Sequence, residues 1–222
     1  MTEQANEREQ EWEDDRDWPN LWRFHEENAR LLASGEPVDV VLLGDSITEG
    51  WSVADPDFFA TSSTRLLNRG ITGQTSPQML LRFMADVVAL RPRAVHLLAG
   101  TNDVAGNTGP ISFEAFRNNV SAMIAIGRAH GLRIILGTPL PTTGFPWNRA
   151  ISNAVPRIAE MRDWLIATAA STDLILADYY PVLLAPGGAM DPAFTEDGVH
   201  PSTAGYQQLR EVATRSFEAA LR

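Results

Sequence analysis

Ser46 is the residue around which chemistry could be built. It closes the stretch Val40-Val41-Leu42-Leu43-Gly44-Asp45-Ser46, in which an apolar run breaks into small polar residues. A run of that length and composition reads as a buried strand. A serine at its carboxyl end, next to a helix start, can cap that helix. It can also act as a nucleophile if the chain supplies a base, a group that orients the base, and donors for an oxyanion.

There are four histidines to weigh as the base. His25 lies among the tryptophans of an N-terminal helical pattern, and His96 lies inside an apolar run; both read as structural. His130 stands just before Gly131 at a helix end, where the helix dipole accounts for it. His200 alone sits in a polar loop with a carboxylate, Asp197, three residues upstream. Asp197 can hold one ring nitrogen and leave the other for Ser46, the logic of a nucleophile–base–acid triad. For the oxyanion, Ser46 offers its own N–H. Gly70 lacks a Cβ and can bring its N–H close to a substrate. Asn102 offers a side-chain NH₂. Each of the last two also has a plain alternative, as a turn glycine and an Asx-turn residue.

The elements that must position these residues alternate along the chain. Strands are expected at Val38–Leu43, Leu66–Gly70, Ala94–Ala99, Leu132–Leu136 and Leu174–Ala177. Between them, 52–63 reads as loop with a short helix near Pro56–Ala60. Ser76-Pro77 opens a helix whose core face is Leu80, Phe83, Met84 and Val87, with Arg82 and Asp86 on the opposite face. Further helices span about 112–129, 153–170 and 202–221, the last burying Tyr206, Leu209, Ala213 and Phe217. Such alternation gives an α/β fold, a parallel sheet with helices on both faces. Its strand ends share one edge, so Ser46, Gly70 and Asn102 can converge there.

Composition removes several chemistries. The 222 residues contain no cysteine, and all 18 basic residues are arginine. Thiol nucleophiles, disulfides, Schiff bases and a Ser-Lys dyad are therefore excluded. A net charge of -10 argues against nucleic-acid binding. No apolar stretch is long enough to span a membrane. The acidic start is the reverse of a signal peptide, so a cytoplasmic location is expected. No metal or other cofactor is implied, since no histidine pair has ligand spacing. Asp45 and Asp103 are expected to cap helices or brace loops, while Trp51, Gln74, Val104 and Trp147 could wall a pocket or simply pack.

Residues 1–34 read as a charge-dense acidic segment followed by a helix with Trp18, Leu21, Trp22, His25, Ala29 and Leu32 on one face, part of the same domain as 35–222. The tryptophans are expected to dock on the domain or on a second copy, as a homodimer.

Taken together, Gly44-Asp45-Ser46-Ile47-Thr48, Asn68-Arg69-Gly70, Gly100-Thr101-Asn102-Asp103 and Asp197-Gly198-Val199-His200-Pro201 resemble the four sequence blocks of the GDSL-type, or SGNH, hydrolases. The blocks occur in order and span most of the chain. The resemblance implies a single flavodoxin-like three-layer αβα domain with a five-stranded parallel sheet. It implies Ser46 as nucleophile, His200 as base with Asp197 orienting it, and Ser46, Gly70 and Asn102 as the oxyanion hole. The substrate class it implies is a small-molecule carboxylic ester, with short acyl or aryl esters foremost. Carbohydrate O-acetylesterase, thioesterase and lysophospholipase activities are the alternatives within the class. A non-enzymatic binding module on the same fold is the alternative outside it.

Overall fold

The computed structural model of the chain describes residues 17–61 and 64–222. The acidic segment expected before Asp17 lies outside the described residues. Five parallel strands form the sheet: β1 (Val40–Gly44), β2 (Leu66–Gly70), β3 (Ala94–Leu98), β4 (Arg133–Gly137) and β5 (Ile175–Ala177), in the order β2-β1-β3-β4-β5. The strand order reverses between β1 and β3, which pair in register with Leu42 beside His96. In an open α/β sheet this switch point leaves a crevice at the carboxyl edge.

The helices in chain order are α1 (His25–Ser34), α2 (Ser46–Ala54), α3 (Pro56–Thr61), α4 (Ser76–Asp86), α5 (Thr101–Ala105), α6 (Phe113–Ala129), α7 (Ala154–Thr172), α8 (Tyr180–Leu183) and α9 (Thr203–Leu221). Because successive strand residues point to opposite faces, the sheet feeds two cores. Val41, Leu43, Val95, Leu97, Ile134 and Leu136 face α4, α6 and α7. Val40, Leu42, Leu98 and Ile135 face α2, α3 and α9, where Trp51, Phe58, Tyr206 and Phe217 fill the space. The result is the three-layer αβα arrangement. His96 is buried in this second core, its Nε2 3.0 Å from the Tyr179 hydroxyl. Burial pushes its imidazole down to about 3, so it is a neutral packing group.

Three expectations are corrected. Residues 52–54 are not loop: α2 runs from Ser46 through Ala54 and buries Trp51 completely. In α4, Met84 is exposed while Arg82 and Asp86 are wholly buried. The guanidinium of Arg82 is needed inside. It donates to the carbonyls of Gly44 (3.0 Å) and Arg69 (2.8 Å), at the carboxyl ends of β1 and β2, and to Asp86 at 3.2 Å. Finally, the N-terminal helical segment docks through Phe24, Asn28 and Leu31, not through its tryptophans. Trp18 and Trp22 stay partly exposed because Asn28 reaches inward instead, donating to Asp86 at 2.7 Å and accepting from Arg69 at 2.7 Å.

Candidate active site

Gly44 ends β1, and the next residues turn directly into α2. Asp45 is the N-cap: its Oδ1 accepts the Ile47 N–H at 2.9 Å. Ser46 is therefore the first helical residue, and its N–H is among the first-turn groups with no intrahelical partner. Asp45 is fully buried, and desolvation pushes its carboxyl up to about 7. The Ile47 N–H and the proximity of His200 act the other way.

The loop before α9 brings in the imidazole. Ser46 Oγ lies 2.9 Å from His200 Nε2, across 154 positions of sequence. His200 Nδ1 lies 2.6 Å from Asp197 Oδ2, while Oδ1 of the same carboxylate accepts the N–H groups of Val199 (2.9 Å) and His200 (2.8 Å). Partial burial alone would raise the Asp197 carboxyl. The bonds from the His200 ring and from these two N–H groups outweigh it and hold the group below its ordinary value. With Asp197 an anion accepting from Nδ1–H, Nε2 is the acceptor nitrogen, and Ser46 Oγ–H donates to it. Helix α9, which follows the loop, is fastened to the Ser46 helix by the Tyr206 hydroxyl, which donates to the Ile47 carbonyl at 2.8 Å.

Asn102 stands in the first turn of α5, buried, at the end of β3. Its Nδ2 donates to the Gln74 carbonyl at 3.0 Å, and its Oδ1 accepts from Asn107 Nδ2 at 2.8 Å. One amide hydrogen of Asn102 remains for a ligand. Asp103 braces the start of α4 by accepting the N–H and hydroxyl of Ser76.

Gly70 is placed differently from the expectation. Its N–H donates to Asn68 Oδ1 at 2.8 Å. Its missing Cβ serves helix packing, since a carbon there would lie 2.1 Å from the Glu49 backbone nitrogen. Three residues on, Ile71–Gln74 forms a turn closed by Gln74 N–H to the Ile71 carbonyl at 3.3 Å, with Gly73 at φ +78°. The Gly73 N–H has no partner among the described residues, and its carbonyl accepts from Asn107 Nδ2 at 3.3 Å. Glycine at the third position of a turn is the signature of a type II turn. That signal was present in Ile71-Thr72-Gly73-Gln74 and points to Gly73 as the glycine on the site side.

Of the other pocket candidates, Trp51 and Val104 are buried packing residues, while Gln74 is buried but lines the cleft beside the site. Trp147 is half exposed, with its ring centroid 5.9 Å from that of His200 and its indole N–H donating to Asn107 Oδ1 at 2.9 Å. Asn107, which sequence reasoning did not single out, thus joins Trp147, Asn102 and Gly73. Among the described residues, no group of three or more His, Cys, Asp or Glu is placed to hold a metal ion. No described helix is long and apolar enough to cross a membrane.

Residues 42–208 match the model of the GDSL-like lipase/acylhydrolase family, and the chain belongs to that family. The crystal structure of a Bacteroides fragilis protein described as an acylhydrolase superposes with a TM-score of 0.89 at 37% identity, covering 94% of this chain and 100% of that one. A GDSL-like lipase of Bacteroides thetaiotaomicron superposes with a TM-score of 0.86 at 38% identity, covering 91% and 99%. The esterase TesA of Pseudomonas aeruginosa is 26% identical over 82% of this chain and 84% of its own length. An acetylxylan esterase of Geobacillus stearothermophilus is 27% identical over 69% and 72%. A lipoprotein of Bacillus subtilis is 36% identical over 46% of this chain, a match that spans about half of the lipoprotein (49%). The fold is flavodoxin-like, and the chain is an enzyme of the GDSL esterase/acylhydrolase class.

Proposed function

We propose that the chain hydrolyses carboxylic esters of short acyl groups through an acyl-enzyme on Ser46. The observation that carries this reading is the 2.9 Å contact of Ser46 Oγ with His200 Nε2, backed by Asp197 at 2.6 Å from the other ring nitrogen. His200 takes the Ser46 proton as Oγ attacks the ester carbonyl. The carbonyl π electrons move onto oxygen, and the oxyanion is held by the Ser46 N–H, the Gly73 N–H and the free amide hydrogen of Asn102. Gly73 replaces Gly70 in this assignment because the Gly70 N–H is already donated to Asn68. As the tetrahedral adduct collapses, the C–O bond breaks and the alcohol leaves with the proton from His200. Water, deprotonated by the same imidazole, then releases the acid and restores Ser46.

Hydrolysis of p-nitrophenyl esters of increasing acyl length by wild type and Ser46→Ala tests the proposal. Wild type should favour the acetyl and butyryl esters, and Ser46→Ala should lose about 10⁴-fold or more in kcat. A serine-directed phosphonate should add once, at Ser46. Equal activity of the two proteins would overturn the reading.

The expected cytoplasmic location stands against a relative that is named a lipoprotein. Fractionation of the native host decides between soluble and membrane-attached protein.

A further inference from the structure

Glu49 stands one helical turn after Ser46 on α2, and so on the same side of that helix. Its carboxylate reaches across to the turn Ile71–Gln74. There Oε2 accepts the Thr72 N–H at 2.8 Å and also the Thr72 hydroxyl. The other oxygen, Oε1, accepts from Arg23 at 3.1 Å. Partial burial alone would raise the Glu49 carboxyl. The bonds from Thr72 and Arg23 outweigh it and hold the group below its ordinary value, so it is a carboxylate at neutral pH.

These bonds fall beside the peptide that carries a proposed oxyanion donor. The Gly73 N–H belongs to the peptide between Thr72 and Gly73, the central peptide of the turn. A type II turn holds that peptide in one orientation, and turning it over gives the type I form, with the N–H on the opposite side. Here both of its flanks are held. Glu49 takes the N–H of Thr72 on one side, and Asn107 donates to the Gly73 carbonyl on the other at 3.3 Å. One residue further, Gln74 donates from Nε2 to the Pro19 carbonyl at 2.8 Å and accepts at Oε1 from Arg82 at 2.6 Å. Of these four partners, Glu49 is the one that belongs to the helix bearing Ser46. It therefore ties the position of the nucleophile to that of the turn.

We propose that Glu49 is a positioning residue of the reaction: it fixes the Thr72–Gly73 peptide so that the Gly73 N–H meets the oxyanion formed when Ser46 attacks. The proposal rests on the acyl-enzyme reading above and adds to it the group that sets the oxyanion turn. As the carbonyl carbon becomes tetrahedral, its oxygen gains charge, and a donor already in place needs no reorganisation. In this role the carboxylate neither touches the substrate nor exchanges a proton with it. It acts through one N–H, so its effect belongs to the charged transition state and not to the binding of the neutral ester. Arg23 extends the same tie to the N-terminal segment, ahead of residues 42–208 that the family model matches.

The test compares wild type, Glu49→Ala and Glu49→Gln in two measurements. One is turnover of p-nitrophenyl acetate. The other is inhibition by phenylboronic acid, whose tetrahedral adduct on a serine hydroxyl puts an oxygen where the oxyanion forms. Alanine suits a helix interior, and thermal unfolding checks the fold. Glu49→Ala should lower kcat about tenfold with KM little changed, and should weaken boronate inhibition by a similar factor. Glu49→Gln keeps a side-chain oxygen for the Thr72 N–H and should recover most of both. Unchanged kcat and unchanged boronate inhibition in Glu49→Ala, with wild type active and Ser46→Ala inactive, overturn the positioning role and leave the esterase reading standing. So does a loss of kcat that follows a lowered melting temperature while boronate inhibition is unchanged. Equal turnover by wild type and Ser46→Ala overturns the esterase reading itself, and the role of Glu49 with it.

Discussion

Asn107 holds Asn102 by its oxygen. The 2.8 Å bond from Asn107 Nδ2 to Asn102 Oδ1 leaves the Asn102 amide with one hydrogen on the Gln74 carbonyl and one without a partner among the described residues. The same Nδ2 reaches the Gly73 carbonyl at 3.3 Å. Two of the three proposed oxyanion donors therefore share one anchor, itself oriented by Trp147.

Preorganised donors act because they need not reorganise when charge develops. Removing Asn102 as a donor should cost about 3–4 kcal/mol, or a few hundredfold in kcat. Asn107→Ala leaves the donor present but loosely held, and should lower kcat about tenfold with little change in KM. Since the anchor also holds the Gly73 carbonyl, Asn102→Ala/Asn107→Ala should be slower than Asn102→Ala alone, but by less than the factor that Asn107→Ala costs by itself. Turnover of p-nitrophenyl acetate by the three variants measures this. Additive losses would mean that Asn107 acts independently of Asn102.

Asp45 ties the stability of the nucleophile's helix to pH. Its carboxyl is raised from 3.8 to about 7 in the folded chain, chiefly by burial. The native state thus keeps a proton that the unfolded chain gives up near pH 4. The associated stability is fully present below that value, declines as pH rises, and is gone above about 7. Asp45→Asn keeps a cap acceptor for Ile47 and removes the titration. Wild type and variant should melt alike near pH 4. The variant should then gain with rising pH, reaching on the order of 2–4 kcal/mol by pH 8 at about 1.4 kcal/mol per unit. Melting curves of both proteins from pH 4 to 8 check this, and a constant offset would remove Asp45 as the source.

The difference between what the sequence disclosed and what it concealed follows from the same physics. The strands were legible because buried parallel strands are continuous apolar runs, and Val40–Leu43 and Ala94–Leu98 lie between helices on both faces. The pairing of Ser46 with His200 was approachable because few polar-loop histidines compete for the role. Helix α4 was misread because periodicity assumes that charge faces water. Here Arg82 turns inward to supply donors to two strand-end carbonyls, which displaces Met84 to the surface. Gly70 was misread for a related reason. A glycine in a block does not say which side of it is crowded, and here Glu49 fills the space a Cβ would need. Asn107 gave no signal at all, because its role exists only through contacts with Trp147, Asn102 and Gly73.

The buried Arg82 joins fold to site and can be separated experimentally into its two roles. Beyond the strand ends and Asp86, its Nε donates to Gln74 Oε1 at 2.6 Å, so it also holds the turn that carries Gly73. Burial lowers the guanidinium to about 10 and raises the Asp86 carboxyl, and their mutual attraction opposes both shifts. Arg82→Met leaves Asp86 buried without its cation and should cost about 3–5 kcal/mol. Arg82→Met/Asp86→Leu removes the stranded charge and should regain part of that stability. It does not restore a donor to Gln74, however, so kcat on p-nitrophenyl acetate should stay depressed while Tm recovers. Stability and turnover recovering together would show that Arg82 serves the fold alone. Their separation in the double variant would place it beneath the oxyanion turn as a positioning residue.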